Sequence, residues 1–92
     1  GHVLAHKRWR GTAGEIDLIM RDGDRVVFIE VKKSTSHEKA ALRLKQRQMG
    51  RIQGAMSEFI AGEPKGQLTE LRFDLATVDQ TGSVRIIENA FM

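Results

Sequence analysis

The strongest constraint on the fold is a strand, a tight turn and a second strand over residues 15–32. Residues 15–21 alternate polar and apolar, residues 25–32 are rich in β-branched side chains, and Asp22-Gly23-Asp24 between them is a turn sequence. Strand geometry sends successive side chains to opposite faces. Ile16, Leu18 and Met20 are expected on one side and Glu15, Asp17 and Ile19 on the other; in the partner, Val27, Ile29 and Val31 form an apolar face opposite Val26, Phe28, Glu30 and Lys32. A slip of one residue would turn charges into the core, so the two apolar faces must coincide. A two-residue turn achieves this. With Gly23-Asp24 at the tip, Asp17 faces Glu30 and Glu15 faces Lys32; with Asp22-Gly23 at the tip, Glu15 faces Glu30 and Asp17 faces Phe28. In both registers the four charges share one face. A regular three-residue loop would separate Asp17 from Glu30.

The rest of the chain reads around this hairpin. Residues 2–9 make a first strand closed by Gly11-Thr12-Ala13-Gly14. Ser34-Thr35-Ser36 offers capping hydroxyls ahead of a helical region over residues 38–61, with a break near Leu44. Met49, Ile52, Met56, Phe59 and Ile60 fall on one helical stripe with Ala55 at its margin, and Gly62 suits the stop. Residues 71–78 and 83–88 are two further strands. The order β-β-β-α-β-β predicts an α/β sandwich with the hairpin central, and the long helical region argues against a β-barrel. With 92 residues, no repeats and no linker, residues 1–92 are expected to form one domain.

Three carboxylates and an ammonium on adjacent strands are a poor choice for stability, because like charges directly opposite destabilise a sheet and push a carboxyl pKa upward. A divalent cation resolves the conflict, since hard cations take clustered carboxylate and carbonyl oxygens. Lys32 beside it could hold an attacking water or offset phosphate charge, which is the equipment of metal-assisted phosphodiester hydrolysis. The alternative is an exposed sheet face with cross-strand ion pairs.

Charge distribution points the same way. Residues 32–51 carry seven basic groups against Glu38 alone, whereas residues 1–31 are neutral and residues 52–92 are net acidic. A concentrated basic block is the footprint expected for a polyanion such as nucleic acid, or it is simply a solvated helix face. Lys45 falls nearly in line with Met49, Ile52 and Met56, where it either snorkels past the core edge or reaches phosphate. Arg43, Arg47 and Arg51 are expected on the outer side, as backbone contacts or solvated groups.

In combination, Asp17, the turn, Glu30-Val31-Lys32 on a strand and the basic helix resemble the PD-(D/E)xK nuclease superfamily. Within it the chain resembles the YraN-type family of uncharacterised proteins, itself similar to archaeal Holliday-junction resolvases. The matching pieces are residues 14–19 and 27–32, Lys45-Gln46, Arg72-Phe73-Asp74 and the ending Glu88-Asn89-Ala90-Phe91. Ile16 stands where the superfamily's name has proline. The resemblance implies a restriction-endonuclease-like three-layer sandwich, with a central mixed five-stranded sheet flanked by helices and the family's N-terminal helix missing from residues 1–92. It also implies that Asp17 and Glu30 hold Mg²⁺ or Mn²⁺ and that Lys32 is catalytic, and it suggests a homodimer.

The resulting expectation is a metal-dependent endonuclease acting on structured or branched DNA. In it the Val31 carbonyl is an extra ligand, Glu15 an auxiliary acid, and Lys33, Lys45, Arg43, Arg47 and Arg51 hold phosphates. A nuclease-like module that binds nucleic acid without cutting it is the alternative, and a purely structural dimerisation domain is a third reading. The sequence contains no cysteine, which excludes a thiolate zinc site and fits a reducing, cytoplasmic setting. No apolar run approaches the roughly 18 residues of a membrane span. His2, His6 and His37 lack metal-ligand spacing and are expected at the surface; Trp9 is expected at the core edge and Asp74 in a structural ion pair.

Overall fold

The computed structural model describes residues 2–91. It contains β1 (Val3–Arg10), β2 (Glu15–Asp22), β3 (Arg25–Lys33), α1 (His37–Ala41), α2 (Gln46–Ile60), a short 3-10 turn (Gly66–Leu68), β4 (Leu71–Val78) and β5 (Val84–Ile87). The strands form one mixed sheet in the order β1-β2-β3-β4-β5. Among the described residues only β3 and β4 pair in parallel, and the helical crossover of residues 34–70 supplies the length such a connection needs. This is the expected α/β sandwich architecture, with a five-stranded mixed sheet and two helices.

The hairpin takes the Gly23-Asp24 register: Asp22 pairs with Arg25, Ile19 with Phe28 and Leu18 with Ile29. Gly23 occupies the turn with φ +63°, a conformation glycine adopts without a Cβ penalty. The helical region breaks where expected. Ser36 caps α1 by accepting the amide of Lys39 at 3.1 Å, and residues 42–45 separate the helices.

Helix α2 buries Ile52, Ala55, Met56, Phe59 and Ile60 against Ile16, Ile19, Val26, Phe28 and Phe73. Removing each large side chain from water contributes on the order of 1.5–3 kcal/mol. The helix is also tied to the β1–β2 loop, where Glu58 accepts the amide of Thr12 at 2.9 Å and its hydroxyl at 3.0 Å. At the other end, Arg72 makes a bidentate pair with the buried Asp74, both bonds 2.9 Å long, and Phe91 stacks on Phe73. Trp9 sits at the core edge, its ring edge-on to Phe59.

Two expectations about side-chain direction are corrected. First, the α2-facing side of β3 is the one carrying Val26 and Phe28, not the one carrying Val27, Ile29 and Val31. Second, β2 does not alternate throughout: Ile16 and Ile19 both enter the core, although they are three residues apart. Strand β1 breaks in step. His6 and Trp9, also three apart, both touch Phe59, and they pair with Ile19 and Ile16 respectively. Between them Arg8 has φ +52°, a left-handed conformation rare outside glycine. Arg8, together with the register shift between Leu4 and His6, interrupts the regular alternation of β1.

Candidate active site

The in-phase break of β1 and β2 brings two neighbouring residues of each strand to one cleft. Lys7 and Arg8 of β1 and Asp17 and Leu18 of β2 all line this cleft of about 480 Å³. Its remaining wall comes from Val31, Lys32 and Lys33 at the end of β3 and from Arg43 between the helices. The ladder between β2 and β3 ends at Leu18 and Ile29. Beyond it Asp17 replaces a main-chain acceptor: its Oδ2 accepts the Val31 amide at 2.8 Å. One oxygen of Asp17 is thereby fixed.

Glu30 is buried, with only 6% of its surface exposed. Its Oε2 accepts Nε2 of Gln48 at 2.8 Å and lies 3.2 Å from Lys32 Nζ. Burial, and after it the negative charge of Asp17, outweigh the nearby ammonium and raise the Glu30 carboxyl to about 7. Asp17 and Glu30 are therefore close enough for one to oppose ionisation of the other. Lys32 itself is largely enclosed, with 16% of its side chain exposed.

The structure thus brings together Asp17, Glu30, Val31 and Lys32, with Lys33 and Arg43 at the rim. Arg43 is not on an outer helix face: it lies outside both helices and donates Nη1 to the Lys33 carbonyl at 2.7 Å. Glu15 is not drawn into the cleft. It is exposed and pairs with Arg10 at 3.4 Å, because the break at Asp17 ends the common face that simple alternation predicts. Lys45 is also displaced. It caps α2 in an extended conformation (φ −92°, ψ 155°), so helical phase does not apply to it, and it is exposed; Arg47 and Arg51 are exposed on α2.

Three participants escaped the sequence reading. Gln48 is a polar residue inside an amphipathic helix, and only the packing of α2 against β3 reveals its partner. Lys7 and Arg8 belong to a segment of neutral overall charge, and nothing short of the strand break directs both into one cleft. His37 also departs from expectation. It is mostly buried, with Nδ1 2.8 Å from the Thr77 hydroxyl, and acts as a strut rather than a surface group.

The donor set fits a hard divalent cation. Two carboxylates from adjacent strands offer oxygen ligands, and Mg²⁺ characteristically uses one or two carboxylates and fills the rest of its octahedron with water and phosphate oxygens. Among the described residues there is no cluster of three or more His, Cys, Asp or Glu able to hold a metal. Also among the described residues, no helix is long and apolar enough to cross a membrane.

Comparison with known proteins gives one consistent result. Residues 1–78 match the model of the uncharacterised protein family UPF0102. A UPF0102 protein of Cereibacter sphaeroides is 67% identical over 91 residues, covering 99% of this chain and 78% of the relative. One from Ruegeria pomeroyi is 57% identical over 91 residues, covering 99% and 74%. One from Roseobacter denitrificans is 54% identical over 90 residues, covering 98% and 70%.

Proposed function

The chain belongs to the UPF0102 family, and we propose that it is a divalent-metal-dependent endonuclease of the PD-(D/E)xK type that hydrolyses phosphodiester bonds in structured DNA. The observation that carries this reading is the convergence of Asp17, Glu30 and Lys32 where the β2–β3 ladder ends, with Asp17 and Lys32 lining a cleft rimmed by basic side chains and Glu30 buried beside them. In this reading Asp17 and Glu30 hold Mg²⁺ or Mn²⁺, with the Val31 carbonyl as a further ligand. The bound ion would supply Lewis-acid stabilisation of charge on the phosphoryl oxygens.

The chain's own residues do the positioning. The Val31 amide and the Gln48 amide group each fix one carboxylate oxygen, which holds the acids in place before any ligand arrives. Lys32 orients the nucleophilic water and offsets negative charge as water adds to phosphorus and the bond to the leaving oxygen breaks. Glu15, held by Arg10 outside the cleft, has no part in this arrangement.

The decisive experiment combines binding and turnover. Mn²⁺ should raise the melting temperature of the wild type but not of Asp17→Ala, and the wild type should cut branched, flapped or linear DNA with Mg²⁺ or Mn²⁺ while Asp17→Ala does not. Equal shifts in both proteins would remove the metal site. A second reading, a nucleic-acid-binding module without cleavage, is favoured by the small acidic set, two carboxylates without a third among the described residues. Metal binding and DNA binding with no cut in any substrate would support it.

A further inference from the structure

The geometry points to Lys7 and Arg8 of β1 as the opposite jaw of a phosphate clamp, which with Lys33 and Arg43 grips the backbone of duplex nucleic acid across Asp17. This inference rests on the reading of the cleft as a nucleic-acid site and assigns it residues and a substrate class. Four observations carry it. Lys7 and Arg8 line the same cleft as Asp17, although neighbouring residues of a regular strand face opposite ways. Arg8 holds a left-handed backbone (φ +52°) in mid-strand, and that conformation is what lets two consecutive cationic side chains share the cleft. A strained non-glycine residue at a cleft wall is a feature typical of functional positions.

The third observation is electrostatic. Arg10, Arg21, Arg25, Lys32, Lys65 and Arg72 all have carboxylate partners. Among the described residues, Lys7, Arg8, Lys33 and Arg43 have none, as is also true of Lys39, Lys45, Arg47, Arg51 and Arg85 outside the cleft; what sets the four apart is that they line one space with Asp17, where their charge is available to an anion. The fourth is chemical. The cleft lining contains no aromatic side chain among the described residues, whereas single-strand binders rely on aromatic platforms for stacked bases. Trp9 and His6, the rings next to the clamp in sequence, are turned to Phe59 instead. What remains is recognition of phosphates by charge, independent of sequence.

Fluorescence anisotropy in EDTA, with a labelled 20-base-pair duplex and a single strand of equal length, tests the clamp without any metal. Arg8→Gly, which the backbone accepts without a Cβ, should melt at or above the wild-type temperature yet bind duplex roughly five- to tenfold more weakly near 0.1 M salt, with a log–log salt slope shallower by about one. Arg8→Lys should recover most of the affinity. Lys65→Ala, which removes the same charge at the far end of the hairpin, should bind as the wild type does. An unchanged slope in Arg8→Gly, or a loss matched by Lys65→Ala, would overturn the clamp; single strand bound as tightly as duplex would overturn the duplex assignment. Failure of the Mn²⁺ melting shift would remove the nuclease reading and leave these binding outcomes to be judged separately.

Discussion

Glu30 is where sequence and environment meet most sharply. A carboxyl raised from 4.5 to about 7 stays protonated in the folded chain at pH values where the unfolded chain has released its proton. The folded state therefore binds more protons between those limits, and the contribution to stability is complete below about 4.5, shrinks as pH rises and is gone above about 7. Denaturant melts in EDTA should show the protein less stable at pH 8 than at pH 5, with Glu30 accounting for on the order of 2–3 kcal/mol. Glu30→Gln should flatten that dependence. A metal needs the ionised form, so the Mn²⁺ melting shift should grow from pH 6 to pH 8. Gln48→Leu should preserve the fold but weaken the shift, because it frees the oxygen that Gln48 holds. The acid and the lysine were readable from the hairpin pattern; their enclosure was not, since burial depends on α2.

Helix α2 carries two glycines whose roles differ only through their neighbours. A Cβ added at Gly50 meets nothing within 4 Å, whereas one at Gly54 would lie 2.8 Å from the Ala13 Cβ. Gly50→Ala should therefore stabilise by about 0.5–1 kcal/mol through helix propensity. Gly54→Ala should destabilise, because the overpacking cost of about 1–3 kcal/mol exceeds that gain. Thermal melts of the pair separate the two effects: for a domain of this size each kcal/mol moves the midpoint by about 4–8 °C. The apolar stripe of α2 and the break between the helices follow from local periodicity and capping. The phase of Lys45 does not, because the chain is already extended there. Strand β1 fails the same way: alternation is a property of uniform φ and ψ, and Arg8 departs from both neighbours.

Across the whole molecule, the returning C-terminal segment closes the sheet. Asp74, 2% exposed on β4, receives the Arg72 guanidinium and the Asn89 amide, while Ala90 donates its amide to the Phe73 carbonyl at 2.8 Å. Asp74→Ala would leave a half-buried guanidinium with only the more exposed Glu88 at 3.5 Å, and should cost about 3 kcal/mol in denaturant unfolding. Asp74→Asn, which keeps an acceptor, should cost less. The same global view governs charge. A net charge of +3 is modest, but four cations without carboxylate partners, Lys7, Arg8, Lys33 and Arg43, line one cleft, so raising salt from 50 to 200 mM should weaken duplex binding roughly 10²-fold if four phosphates are contacted.

The elements, their order, the hairpin with its two possible registers, and the acid–acid–lysine set are legible along the chain, because each depends on turn chemistry or on a period that a few adjacent residues define. Tertiary structure alone decided which register is used, which face α2 covers, that Glu15 stands aside, and that Gln48, Lys7 and Arg8 converge with residues far away in the chain. Those outcomes depend on where a helix packs and on one left-handed residue in β1, and neither leaves a periodic trace in the sequence.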